Sequence, residues 1–146
     1  MVVQGKVLRQ CAILAVMLLS PLQASADEQD DALLKSREAM RALGEKAYER
    51  LWDELTSDWA KQNMGGQRDQ YIANMRIQRY PIGKLTGSNI IGTNCMDSAL
   101  HIGWGGKLCV TTFYNNYSTG NSNERIFVIL ENGGWKLSGF DGAPAQ

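Results

Sequence analysis

Apolar residues recur at helical spacing from Leu33 to about Gln62, with Leu33, Met40, Leu43, Ala47, Leu51, Leu55 and Trp59 falling on one face. Gly44 weakens the middle of this run and marks a bend. Thr56-Ser57-Asp58 offers a cap, so the pattern fits one long helix or two joined near residue 56. Gly65-Gly66 ends the run, because glycine reaches left-handed backbone angles easily. A shorter helix is predicted over Arg68–Arg79, with Tyr71, Ile72, Met75 and Arg79 sharing a face. Pro81 stops it, since the residue before a proline disfavours helix.

Beyond Gly83 the period changes. Leu85, Ile90 and Ile91 lie among Thr, Gly and Asn, and Gly103–Gly106 (G-W-G-G) forms a break. Lys107–Ser118 alternates as a strand: Leu108, Val110, Thr112 and Tyr114 point one way, and Cys109, Thr111, Phe113 and Asn115 the other. Glu124–Leu130 is a second strand. Asn132-Gly133-Gly134 is a tight hairpin turn, and Trp135–Phe140 is a third strand. Helices first and a three-stranded antiparallel meander second predict an α+β fold.

The N-terminus has a different character. Lys6 and Arg9 precede the apolar run Cys11–Leu19, which Ser20-Pro21 closes, and Ala24-Ser25-Ala26 follows. A positive start, a short apolar core and an A-x-A step form the secretory signal pattern. A run this short does not span a hydrocarbon core of about 30 Å. The expectation is a signal peptide over 1–26, cleaved after Ala26, a single domain over 27–146, and a periplasmic or secreted product without a stable membrane anchor. Cys11 lies before the apolar core, which argues against a lipid anchor at the cleavage site.

Charge excludes further classes. The chain of 146 residues carries 15 basic and 15 acidic groups, and removal of 1–26 leaves 13 basic and 15 acidic. Such a mildly acidic domain lacks the basic surface of a nucleic-acid binder. Two cysteines, Cys95 and Cys109, remain after cleavage, and an even pair in an exported chain is expected to be a disulfide. If the hairpin turn lies at Gly103–Gly106, Cys109 faces Leu100 across it. The bridge is then expected to staple an irregular segment, Thr93–Ser98, to the strand instead of joining opposed residues.

An ordered set of segments resembles a family of exported bacterial proteins, domain-of-unknown-function family 4019. The segments are Tyr48 with Trp52, Gln67–Ile72 (Q-R-D-Q-Y-I), Arg76–Gly83 (R-I-Q-R-Y-P-I-G), Val110–Asn115 and Asn123–Phe140, the last ending in E-N-G-G-W-K-L-S-G-F. The similarity spans most of Arg37 to Gly142. It implies a cystatin-like or nuclear-transport-factor-like fold, in which N-terminal helices pack on a curved antiparallel sheet. It brings no catalytic residues. The two-cysteine segment Thr93–Gly106 departs from the family pattern.

A curved sheet closed by a helix makes a cone whose mouth can hold a small apolar ligand. Tyr48, Trp52, Trp59 and Tyr71 from the helices, and Phe113, Tyr114, Phe127 and Trp135 from the strands, either line such a mouth or fill the core. Trp104, in the glycine-rich break, either anchors a protein contact or folds back over the sheet. His101 is the lone histidine and reads as an exposed strand residue. Cys95, Asp97 and His101 are too few for a zinc site, so no metal is expected. Gly103–Gly106 lacks the Lys-Ser/Thr tail of a phosphate loop, and no cofactor is expected.

No catalytic set stands out. A carboxylate in apolar surroundings would serve acid–base chemistry, and Asp53, Glu54 and Asp69 are the candidates. Two function classes follow: a non-enzymatic exported domain binding a small apolar ligand or an envelope protein, or a small hydrolase or isomerase using a buried carboxylate. A module without any pocket is the third.

Overall fold

The computed structural model describes residues 20–144. Residues 1–19, which hold the charged start and apolar run of the expected leader, lie outside the described residues. Helix α1 (Ser20–Gly44) buries Ala32, Ser36, Ala39, Met40 and Leu43, a stripe at steps of three and four. Gly44 ends it where α1 meets Leu85: a Cβ there would lie 2.3 Å from Leu85 Cδ2. Lys46 then takes φ 58°, and the chain turns.

The helical run is thus broken at Gly44, the expected bend, and near residue 56, as in the second of the two expected arrangements. Between the breaks, α2 (Tyr48–Arg50) runs into a π-helical turn at Leu51–Leu55, closed by Thr56 N–H donating to Leu51 O at 2.9 Å. The wider turn lets the adjacent Leu51 and Trp52 both face inward with Leu55. Thr56 is extended, and Ser57 caps α3 (Asp58–Asn63) by accepting from Ala60 N–H at 3.0 Å. Glu131 adds a carboxylate to the same helix end, accepting from Asp58 and Trp59 N–H at 2.9 Å each. Helix α4 (Arg68–Arg79) buries Ile72, Met75 and Arg79, with Tyr71 half-buried.

Four strands follow, not three: β1 (Leu85–Met96), β2 (Leu108–Tyr117), β3 (Gly120–Glu131) and β4 (Gly134–Pro144), all antiparallel in the order β1-β2-β3-β4. The molecule is α+β. Segment Thr93–Met96 is regular strand, and Cys95 lies directly opposite Cys109, with the sulfurs 2.04 Å apart as a disulfide. The expected irregular staple is therefore corrected. The connection to β2 is not a tight hairpin but a loop with a 3-10 turn at Leu100–Ile102, so Cys109 does not face Leu100. His101 sits in that turn, not in a strand.

Core side chains gather on the face of the sheet toward α1. Cys109, Phe113, Ile126, Val128 and Leu137 meet Met40, Leu43, Tyr48 and Leu51 there. The other face has a smaller cluster: Ala99, Leu108 and Ile129, covered by Trp59 from α3 and Trp104 from the loop. In β4 a bulge at Ser138 interrupts the alternation, since Leu137 pairs with Val128 and Gly139 with Phe127. Phe140 consequently shares the inner face with Leu137, against the plain alternation expected for Trp135–Phe140. Among the described residues no helix is long and apolar enough to cross a membrane.

Candidate functional site

Arg79 ends the buried stripe of α4, so its guanidinium enters the layer between helix and sheet. There Nη1 donates to Glu124 Oε1 at 2.7 Å and Nη2 to the Tyr117 hydroxyl at 2.9 Å. Tyr117 donates its own proton to Glu124 Oε2, which also accepts from Asn115 Nδ2 at 2.5 Å. Asn115 in turn accepts from Ser88 Oγ at 2.6 Å and lies 3.2 Å from Met40 Sδ. Both charged side chains are at least nine-tenths buried. Gly142 makes room for this: a Cβ on it would stand 2.9 Å from Glu124 Cγ.

Strand alternation explains the grouping, because Asn115, Tyr117 and Glu124 all point inward from β2 and β3. Burial and the bond to Glu124 hold the Tyr117 hydroxyl well above the ordinary phenol range, against the nearby Arg79 charge. The carboxylate of Glu124 holds the Arg79 guanidinium protonated in spite of its burial. Tyr48 lies near the same guanidinium, and burial raises its pKa too. Its hydroxyl is buried and makes no hydrogen bond of good geometry among the described residues. Glu124 is the one buried acid among the described residues. Sequence reasoning missed it because it reads as an ordinary polar residue at a strand start; its clue was its place on the inward face with Ile126 and Val128.

The acids singled out from sequence are elsewhere. Asp53 is exposed and accepts two hydrogen bonds from Arg68, at 2.7 and 2.6 Å, which lower its pKa. Glu54 pairs with Arg50, and Asp69 lies in solvent beside Arg68. None of the three reaches the buried layer, where the acid is Glu124.

A groove opens beside this network, between α4 and the outer edge of β4. Its first section, about 590 Å³, is lined by Gln70, Tyr71, Asn74 and Met75 of α4 and by Leu137–Phe140 of β4, with Thr56 and Met64 closing the end. A second section of about 750 Å³ shares Gln78 and Phe140 with it and crosses the end of the sheet from Asp141–Ala143 to Tyr117 and Thr119–Ser122, with Arg79 and Glu124 along its side. Burial pushes the Tyr71 hydroxyl up to about 12. Its ring lies on Trp52, centroids 4.8 Å apart.

Of the eight aromatic candidates, Tyr71 alone lines this groove. Tyr48, Phe113 and Trp135 belong to the inner core, and Trp52 is buried under Tyr71. Trp59 and Phe127 pack on the opposite face, and Tyr114 lies half-buried. Trp104 is folded back: its ring meets Trp59 at 5.8 Å and its Nε1 donates to Lys107 O at 3.2 Å. Among the described residues no three His, Cys, Asp or Glu side chains cluster as metal ligands.

No family model, curated protein or solved structure matches this chain.

Proposed function

We propose that this chain is an exported, non-catalytic domain that binds a small apolar ligand or an envelope protein in the groove between α4 and β4. The observation that carries the reading is the groove's lining: Met64, Tyr71, Met75, Leu137 and Phe140 supply apolar and aromatic surface beside the neutral carboxamides of Gln67, Gln70, Asn74 and Gln78, and no ionisable group lines its first section apart from the Tyr71 phenol. Concave sites of this size, apolar with a few polar groups, are the usual form of binding pockets.

The hydrolase or isomerase alternative needs a carboxylate able to exchange a proton. Glu124 borders the second section of the groove, which favours it by position. Both its oxygens, however, are taken by Arg79, Tyr117 and Asn115, which favours a structural role. The leader-like pattern and the Cys95–Cys109 disulfide support export, because such bridges persist in oxidising compartments. Helices laid across one face of an antiparallel sheet suit the cystatin-like or nuclear-transport-factor-like fold and the family 4019 resemblance.

A thermal-shift screen of the purified protein against small aromatic and aliphatic compounds, followed by NMR mapping of the hits, tests the reading. Binding is expected to perturb Tyr71, Met75 and Phe140. Hits that perturb only the face carrying Trp104, or no hits at all, would count against it.

A further inference from the structure

We propose that the outer edge of β4, from Ser138 to Ala143, takes an extended uncharged peptide segment of a partner protein as a fifth strand. The inference rests on the groove being the binding site and names its occupant.

The chain itself shows that this edge accepts a strand. Thr56 is extended, with φ −76° and ψ 134°, and forms a parallel bridge to Leu137, while Ser57 N–H donates to Leu137 O at 2.8 Å. After that single pairing Ser57 caps α3 and the chain leaves. From Ser138 onward the outer edge has no backbone partner among the described residues. An unpaired strand edge is a template for another strand, and extended peptides bind by this addition.

What stands opposite the edge fits a peptide. Gln70, Asn74 and Gln78 recur every four residues on α4, all exposed, with Gln67 one turn before them. Each carboxamide both donates and accepts, as a peptide backbone requires. The same stripe offers no charge to a charged occupant. The carboxamides face the edge at Leu137–Phe140, and beyond Gln78 and Phe140 the groove opens across the end of the sheet toward Thr119–Ser122. Gly139 and Gly142 carry no side chain on the edge, and Asp141 is drawn toward Arg125. The opposite edge, β1, is interrupted by two bulges, after Leu85 and Ile90, a usual protection against pairing, whereas β4 has one, at Ser138, and is regular from Gly139 to Pro144.

The test uses the purified protein and a phage-displayed library of random octapeptides without charged residues. A selected sequence, made synthetically, is expected to shift the backbone amides of Ser138–Ala143 and the side-chain amides of Gln70, Asn74 and Gln78. N-methylation of its backbone at alternate residues is expected to abolish binding in one phase and spare it in the other, because ladder bonds have a period of two. The exposed triple variant Gln70→Ala, Asn74→Ala, Gln78→Ala is expected to weaken binding at least about tenfold with the melting temperature kept. Failure to select any peptide, shifts confined to another surface, or insensitivity to N-methylation would overturn the proposal. So would a concentration-dependent dimer that protects Ser138–Ala143 from hydrogen exchange, which gives the edge to a second copy. If small aromatic compounds still bind beside Tyr71 while peptides do not, the peptide proposal falls and the groove reading stands; if neither binds, both fall.

Discussion

Arg79 and Glu124 form a buried pair whose partners are all present, and the energetics of such pairs are asymmetric. Removing one member leaves the other charged in a dry layer, which typically costs about 3–5 kcal/mol. Glu124→Gln is therefore expected to lower stability in urea unfolding by that order. Combining it with Arg79→Met should recover part of the loss, since no lone charge then remains. Tyr48 gives the opposite sign: its hydroxyl is buried without a well-formed hydrogen bond among the described residues. Tyr48→Phe removes an unsatisfied group and is expected to be neutral or stabilising by up to about 1 kcal/mol in the same measurement. The tyrosines also set an alkaline limit. Tyr71 is raised to about 12 from an ordinary 10.0, and Tyr48 and Tyr117 are raised as well. The unfolded chain then loses phenolic protons first as pH rises through 10. Stability is fully present below that pH and is lost as the pH climbs toward 12. Melting temperature against pH, read beside tyrosinate absorbance, checks both the window and the sign. A flat profile above pH 10 would show that these phenols are not buried.

Elements show which parts of a fold are written locally. The stripe Ile72, Met75, Arg79 and the alternation Cys109, Thr111, Phe113, Asn115 were legible because each follows the period of its own element. Strand β1 was not, since T-G-S-N-I-I-G-T-N-C has neither period; pairing with β2 makes it a strand. The Ser138 bulge was hidden for a related reason, because it exists only in the register with β3. Trp104's place against Trp59 likewise depends on two segments far apart in the chain. Helix α3 is the joint between these levels. Ser57 caps it locally and Glu131 from β3 caps it at long range, and together they hold Trp59 over the outer face. Ser57→Ala is expected to cost about 1 kcal/mol. Glu131→Ala should release Trp59 from Trp104, seen as a red-shifted tryptophan emission; unchanged emission would mean that the aromatic pair holds α3 without the cap.

At the scale of the whole molecule, the position of the proposed cleavage step relative to the core decides whether export is compatible with the fold. α1 is continuous through Ala24-Ser25-Ala26, and from Ala26 onward, where burial is described, Ala26 and Asp27 are exposed and Ala32 is the first buried position. The ion pair of Glu28 with Lys107, just before β2, also lies downstream of Ala26. Cleavage after Ala26 would leave these described core contacts in place, and the disulfide that joins β1 to β2 lies wholly downstream of that step. The loop it closes, with cysteines 14 residues apart, is worth about 3 kcal/mol on the chain-entropy account. Two outcomes follow together. The mature protein is expected to have a mass lacking 1–26 and two further hydrogens, and a chain starting at Asp27 should melt at the same temperature as one bearing the leader. Reduction, or the double change Cys95→Ser with Cys109→Ser, should then lower stability by about 3 kcal/mol. Intact mass measurement, thermal melts and urea unfolding check these in turn. A full-length chain with free thiols would refute the exported reading, whereas a mature chain that melts far lower would show that the first turns of α1 carry packing of their own.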